Sequence, residues 1–369
     1  MRRFLPGNKN KYGGKIAKNC SALDQVSRPP MLFALLSAGK VALDRAIMGD
    51  EPRIAEPTLG EALRSVARAG LDLSHVLTSA TVNHKIQNTN VVAHCHHVAL
   101  DGSSLPRLQD LSDAIAEWVT DYVIPRSVIE KAEQGADHER RLKLNRLRAR
   151  AIDTFKTKGM SGEQGELLMF VLAESFLGLP QLLCKMDLKT DSEMHFHGID
   201  GVHCGGAPDD DERLAVYWCE SKVHQSLEGA LSDAFDGLKP YLLAPGSGQK
   251  DKKRELALLD RYMDLGSAAI VERIIGAINP DGPVFNTIHW GALCLIGFDH
   301  EYPSKPNQIS HAKFLAEIDA AFPGWASKAE SRAKNRGLES FEIHIFYMPL
   351  GFCEQFREAM KISLGLSSG

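Results

Sequence analysis

The order of elements between residues 163 and 243 constrains this chain more than any other feature of its sequence. A strongly apolar helix over 163–179, closed by Gly178 and Pro180, leads into three strand-like stretches at 181–189, 194–204 and 213–223. An amphipathic helix follows at 225–243. Helical spacing of apolar residues marks the first and last of these, and short apolar runs bounded by Gly, Pro and Asp mark the strands. The segment Gly205 to Glu212 reads as the turn between the second and third strands. After a flexible, exposed linker at 245–253 the alternation resumes: helix 255–277, strand 284–298, helix 309–332, strand 340–348, helix 351–363. Such interspersion predicts an α/β protein with a mixed sheet flanked by helices.

Upstream, 88–102 reads as a strand and turn. A helix capped by Asp110 runs to the break at Pro125, and a charge-rich helical stretch spans 127–157. From 138 to 158, eight Lys or Arg stand against Glu139 and Asp153 alone. That pattern is either a solvated helix face or a patch that contacts phosphates. Nearer the start, 59–70 has the spacing of a short amphipathic helix and 31–48 that of an apolar one.

The chemistry concentrates in the central block. Glu220 and Lys222 are two residues apart on an expected strand, so they project from one face. Asp200 lies on the preceding strand, joined by the turn, and can come alongside. Their neighbours are apolar or aromatic (Leu214, Val216, Tyr217 and Trp218; Ile199 and Val202), and charges in apolar strands are costly unless they serve a site. Two carboxylates and an ammonium converging on one point suit metal-assisted hydrolysis of a phosphodiester. The carboxylates would hold Mg2+, with Mn2+ as a substitute, and the lysine would orient water or stabilise the transition-state phosphorane. On the preceding helix Glu163, Glu166 and Glu174 share a broad face. Glu166 is the favoured third ligand and Glu163 its rival.

These residues carry a resemblance. Gly-Glu on a helix, then Gly-x-Asp-Gly-Val-His, then Trp-x-Glu-x-Lys resembles the PD-(D/E)XK nuclease superfamily. In more detail the chain is similar to the HamA family, nuclease subunits of the bacterial Hachiman antiphage system. The shared stretches include HHVALDG (96–102), YVIPRS (122–127), LIGFDHEY (295–302) and FYMPLGFCEQFREAM (346–360), and the likeness covers about residues 87–365. It implies a restriction-endonuclease-like fold and a Mg2+-dependent DNA endonuclease in a prokaryotic cytosol, working with a separate superfamily 2 helicase of the HamB type. By motif, Asp200 and Glu220 carry over as metal ligands, Lys222 as the catalytic lysine, and Glu166 as the helical glutamate. The proline that precedes the motif's aspartate is Ile199 here. The expected division is an extension of unknown role at 1–86, a helical lead-in at 87–157 that touches DNA or the partner, and a nuclease-like domain at 158–369. The alternative is a catalytically silent DNA-binding or regulatory subunit of a helicase complex.

Composition narrows the rest. A net charge of −4 excludes an overall basic glove, so nucleic-acid binding requires a local patch. Seven scattered cysteines without a Cys-x-x-Cys argue for reduced thiols in a cytosol. The basic first twenty residues lack an apolar signal core, and no run is long enough to span a membrane. There is no Gly-x-x-x-x-Gly-Lys-Ser/Thr loop, so ATP hydrolysis falls to another polypeptide. His94, Cys95, His96 and His97 alternate faces along a strand and are expected to pack rather than to bind one ion. His195 and His197 share a face, but a zinc site would need ligands that the sequence does not place. Lys185 and Lys189 are candidate phosphate contacts or surface lysines. Asp209, Asp210 and Asp211 form a solvated turn, and Trp118, Trp218, Trp290 and Trp325 anchor core or interface.

Overall fold

The computed structural model describes residues 57–68, 72–158, 162–188, 198–243 and 248–366. The expected helix at 31–48, His195, His197 and Lys189 lie outside the described residues. The elements run α1 (Leu59–Val66), β1 (Leu77–Lys85), β2 (Val91–Val98), α2 (Leu108–Ala116), α3 (Val119–Val123), α4 (Arg126–Ala132), α5 (Asp137–Lys158), α6 (Glu163–Leu177) and α7 (Lys185–Leu188). They continue through β3 (Gly201–Ala207), β4 (Asp210–His224), α8 (Leu227–Leu242), α9 (Gly248–Tyr262), α10 (Ala268–Ile278), β5 (His289–Asp299), α11 (His311–Arg336), β6 (Ile343–Leu350) and α12 (Cys353–Ser363).

The described strands form one mixed six-stranded sheet in the order β1-β2-β6-β5-β4-β3. The β2, β6, β5 and β4 strands are parallel to their neighbours, and antiparallel hairpins close both edges. The sheet therefore draws two strands from residues 77–98. Parallel strands need covered faces, and two apolar cores supply the cover. Leu214, Val216 and Trp218 of β4 face a core containing Leu231, Phe235 and Leu238 of α8. Ala215, Tyr217, Cys219 and Val223 face a second core with Leu168, Val171 and Leu172 of α6. The α6 helix is buried nearly all round from Leu167 to Glu174, which explains its unbroken apolar sequence. It ends at Gly178, whose φ of +63° suits a residue without a Cβ.

Several expected elements differ. The stretch 181–189 is not a strand: Gln181 makes a single bridge to His203, and the chain then turns into α7. Asp110 does not cap α2, which begins after Arg107; its carboxylate pairs with that arginine at 2.7 Å. The turn after β3 is two residues, Pro208 and Asp209, so long strands rather than a long loop separate Asp200 from Glu220. The helical stretch at 255–277 is two helices, with α9 starting at Gly248 inside the expected linker. A short 3-10 turn, Pro283–Thr287, precedes β5. Asp209 and Asp210 are exposed at the turn as expected, while Asp211 belongs to β4 and is bound by Arg64 and Thr58 of the α1 region, so it tethers that region to the sheet. Among the described residues no helix is long and apolar enough to cross a membrane. The six described cysteines are free and buried.

Candidate active site

Strand β4 presents Glu220 and Lys222 on the same face as Trp218, over α8. That helix makes room for the carboxylate with Gly237, where a Cβ would stand 2.7 Å from Oε1 of Glu220. Lys222 Nζ lies 2.5 Å from the same oxygen. Asp200 sits one residue before β3. Gly201 pairs with Cys219, which sets Asp200 opposite Glu220. The Asp200 amide donates to the Cys219 carbonyl at 3.0 Å, and the Ser221 amide donates to Asp200 Oδ2 at 2.8 Å. The strand backbone thus fixes both the aspartate's position and its side-chain direction.

Glu166 arrives from the first turn of α6 on the opposite face of the sheet. Gly165 allows that approach, because a Cβ there would fall 2.5 Å from Ser221 Oγ. Tyr122 of α3 donates its hydroxyl to Glu166 Oε2 at 2.7 Å. Burial raises the Tyr122 phenol far above its usual pKa, and the Glu166 charge adds to this, so the hydroxyl stays a donor. Glu163, the rival ligand, turns back to accept the Gly162 amide at 3.0 Å. Glu174 is a buried structural carboxylate that accepts the Arg68 and Gln181 amides and pairs with Arg126.

The site's electrostatics follow from crowding like charges in a half-buried place. Burial raises the Asp200 carboxyl well above its usual range, with Glu166 and then Glu220 adding to the rise; Lys222 only partly offsets it. Burial also lifts Glu220, against the pull of Lys222. For Lys222 burial works against the charge, but Glu220 and Asp200 together outweigh it and hold the ammonium above its ordinary pKa. An arrangement of this kind binds protons or a cation readily. Its donor set is all oxygen, which suits a hard divalent ion. Among the described residues, however, no three His, Cys, Asp or Glu side chains stand in a ready-formed metal shell. The carboxylates would have to close around an ion as it enters.

Two participants escaped the sequence reading and a third was misread. Tyr122 lay within the YVIPRS stretch but read only as one apolar position of a helix. Gly237 gave no signal at all. Lys185 is neither a phosphate contact nor a surface lysine: it is buried, donates to the Ile199 carbonyl and pairs with Glu255 of α9 at 2.9 Å. The Ile199 amide donates to the Tyr241 hydroxyl at 3.1 Å, so the backbone leading into Asp200 is pinned on both sides. The histidines of β2 do alternate: His94 and His96 stack on Phe346, while His97 packs against Phe314. A cavity of about 660 Å³ is lined by Ile86, Asn88 and Glu339 around a hairpin turn and gathers no convergent chemistry.

The sequence model of a family described as HamA matches residues 73–363, most of the chain. Among curated proteins none matches.

Proposed function

The chain belongs to the HamA family, which serves Hachiman antiphage defence, and on that premise and the geometry of the site we propose that it is a metal-dependent DNA endonuclease acting with a helicase subunit. The observation that carries the reading is the cluster at the start of β3 and the end of β4, where the Ser221 amide holds Asp200 opposite Glu220 and Lys222 stands 2.5 Å from Glu220. Asp200 and Glu220, with Glu166, would hold Mg2+ or Mn2+. A bound ion of this class neutralises phosphate charge and acidifies a water molecule. Lys222, kept protonated by its two carboxylates, donates to the attacking water or to the phosphorane oxygens. Tyr122 would fix the Glu166 carboxylate through its hydrogen bond. A nuclease of this kind must be restrained before infection, and a tight complex with the helicase that covers the site is one physical way to do it.

A catalytically silent DNA-binding or regulatory subunit is the second reading, favoured by the lack of a closed three-ligand shell among the described residues. Incubation of plasmid DNA with the protein and Mg2+, with and without EDTA and with and without the helicase, separates the two. We expect metal-dependent cutting that falls roughly 100-fold or more in both Glu220→Ala and Lys222→Ala. Cutting that survives both substitutions would sink the site assignment. A lack of cutting under every condition, the helicase included, would support the silent subunit.

A further inference from the structure

The α5 helix carries a charge at odds with the rest of the molecule. Eight basic against three acidic side chains give its 22 residues +5, so the remainder of the chain, whose total is −4, stands at −9. A helix that merely covers a core shows an apolar stripe, and only the second half of α5 does so. Ala151, Thr154 and Phe155 are buried there, and Phe155 packs on Tyr122 with ring centroids 6.2 Å apart. In the first half every residue from Asp137 to Lys143 is exposed, Leu142 included at 54%. An isolated helix of two turns is marginal in water. This one is held by its C-terminal packing, by the Asp137–Arg140 pair and by Lys143 reaching the Gln134 carbonyl.

Arg141, Lys143, Arg146 and Arg150 are all exposed. Lys143, Arg146 and Arg150 follow at i, i+3 and i+7, so they line one flank and span about 10 Å, the rise of roughly three nucleotides of one strand. Arg148 is different: it donates to the Ala116 and Glu117 carbonyls and ties the helix to the end of α2. The buried end of the helix is the part that packs near the site. The helix ends at Lys158, five residues before α6 begins, and its buried Phe155 touches the tyrosine that holds Glu166.

We propose that the exposed half of α5 is a phosphate-contacting track that binds a nucleic-acid duplex. The proposal deepens the nuclease reading and rests on it for the role of the track, but binding can be measured without cleavage. Lys and Arg in such a track neutralise phosphates and release counterions, so affinity falls with salt by a slope set by the number of contacts. An acidic surface on a protein partner is the competing occupant.

The test uses the full chain carrying Glu220→Ala, in EDTA, with a fluorescent 30-base-pair duplex and anisotropy measured across a salt series. The triple substitution Arg141→Gln, Lys143→Gln, Arg146→Gln keeps good helix formers at exposed positions, so the fold should persist. We expect it to weaken binding at least tenfold at low salt and to flatten the log–log salt slope by about 2 to 3. A control triple on α11, Lys313→Gln, Lys328→Gln and Lys334→Gln, should leave the slope unchanged. Equal affinity and slope in the α5 variant and its parent would overturn the proposal, whether or not the variant loses its hold on the helicase. If the nuclease reading alone were wrong, the duplex would still bind through α5 while no condition produced cutting.

Discussion

At Gly237 a Cβ would stand 2.7 Å from Oε1 and 2.8 Å from Cδ of Glu220, both under the limit of ordinary contact. Backbone on α8 cannot retreat easily, because Ala234 and Leu238 are fully buried beside it. The carboxylate must therefore move, and it would carry its contact with Lys222 along. Gly237→Ala should thus lower cleavage about 10- to 100-fold, the cost of displacing a catalytic group by about 1 Å. Alanine favours the helix by about 1 kcal/mol over glycine, so the melting temperature should change little. Gly276→Ala on α10, where a Cβ meets nothing, is the matching control for the helix effect. Equal loss of activity in both variants, or none in Gly237→Ala, would show that Glu220 does not depend on this space. At this scale the sequence spoke unevenly. Asp200, Glu220 and Lys222 stood out because charges interrupt apolar strands, although their spacing alone has many innocent readings. Gly237 was not, since the value of a missing side chain depends on what stands opposite.

The α7 and α9 helices are joined by an ion pair that no pattern in the sequence announces. Lys185 and Glu255 are 70 residues apart, and their side chains are 2% and 0% exposed. Among the described residues, neither Glu255 oxygen has a hydrogen bond of good geometry, and its charge faces Lys185 at 2.9 Å and Arg254 at 3.6 Å. A buried carboxylate stripped of its partner is expensive, on the order of 3–5 kcal/mol. Lys185→Met should cost about that much in urea unfolding. Glu255→Gln should cost less, and the double substitution should recover much of the loss, because the pair together gains little over an apolar replacement. Additive losses in the double variant would mean that the two groups do not depend on each other. Around Lys185, the stretch 181–189 reads wrongly as a strand. Leu182, Leu183 and Cys184 form a buried apolar run that suits a strand, but its pairing to the sheet stops at the Gln181–His203 bridge and the Leu182 amide's bond to the Val202 carbonyl. Elements whose neighbours are local in sequence, such as α6, β4 and α8, were legible almost to their ends. The β1 strand was not, because it is exposed along much of its length and its apolar signal is weak.

Across the whole molecule, the sheet is built over buried imidazoles, and this sets its response to acid. Burial depresses His94 to a pKa of about 3, with the neighbouring His344 and His96 adding to the effect. Burial likewise lowers His96 and His203 to about 4, although the Leu179 carbonyl bonded to His203 pulls the other way. Each is near 6.5 when unfolded. The unfolded chain therefore binds more protons than the folded one between about 4 and 6.5. Stability from these three groups is complete above 6.5 and is lost as pH falls through that window, at up to about 4 kcal/mol per pH unit. Glu342 extends the loss further down. Burial opposes its charge, but His289 at 2.7 Å and the hydrogen bond with His344 hold it near 2, a contribution present above the ordinary carboxylate range and lost towards 2. Asp200 and Glu220 act with the opposite sign. Their raised carboxyls keep protons in the folded state, so their contribution is lost as pH rises through the raised values. A cation that displaces those protons would cancel that loss. Unfolding midpoints measured from pH 4 to 8 should rise steeply up to about 6.5. Above that, Mg2+ should stabilise the native chain and have little effect on Glu220→Gln. A midpoint that stays level between pH 4 and 6.5 would mean that the buried histidines are charged in the folded state, contrary to their packing. Equal stabilisation by Mg2+ in the native chain and in Glu220→Gln would place the ion elsewhere.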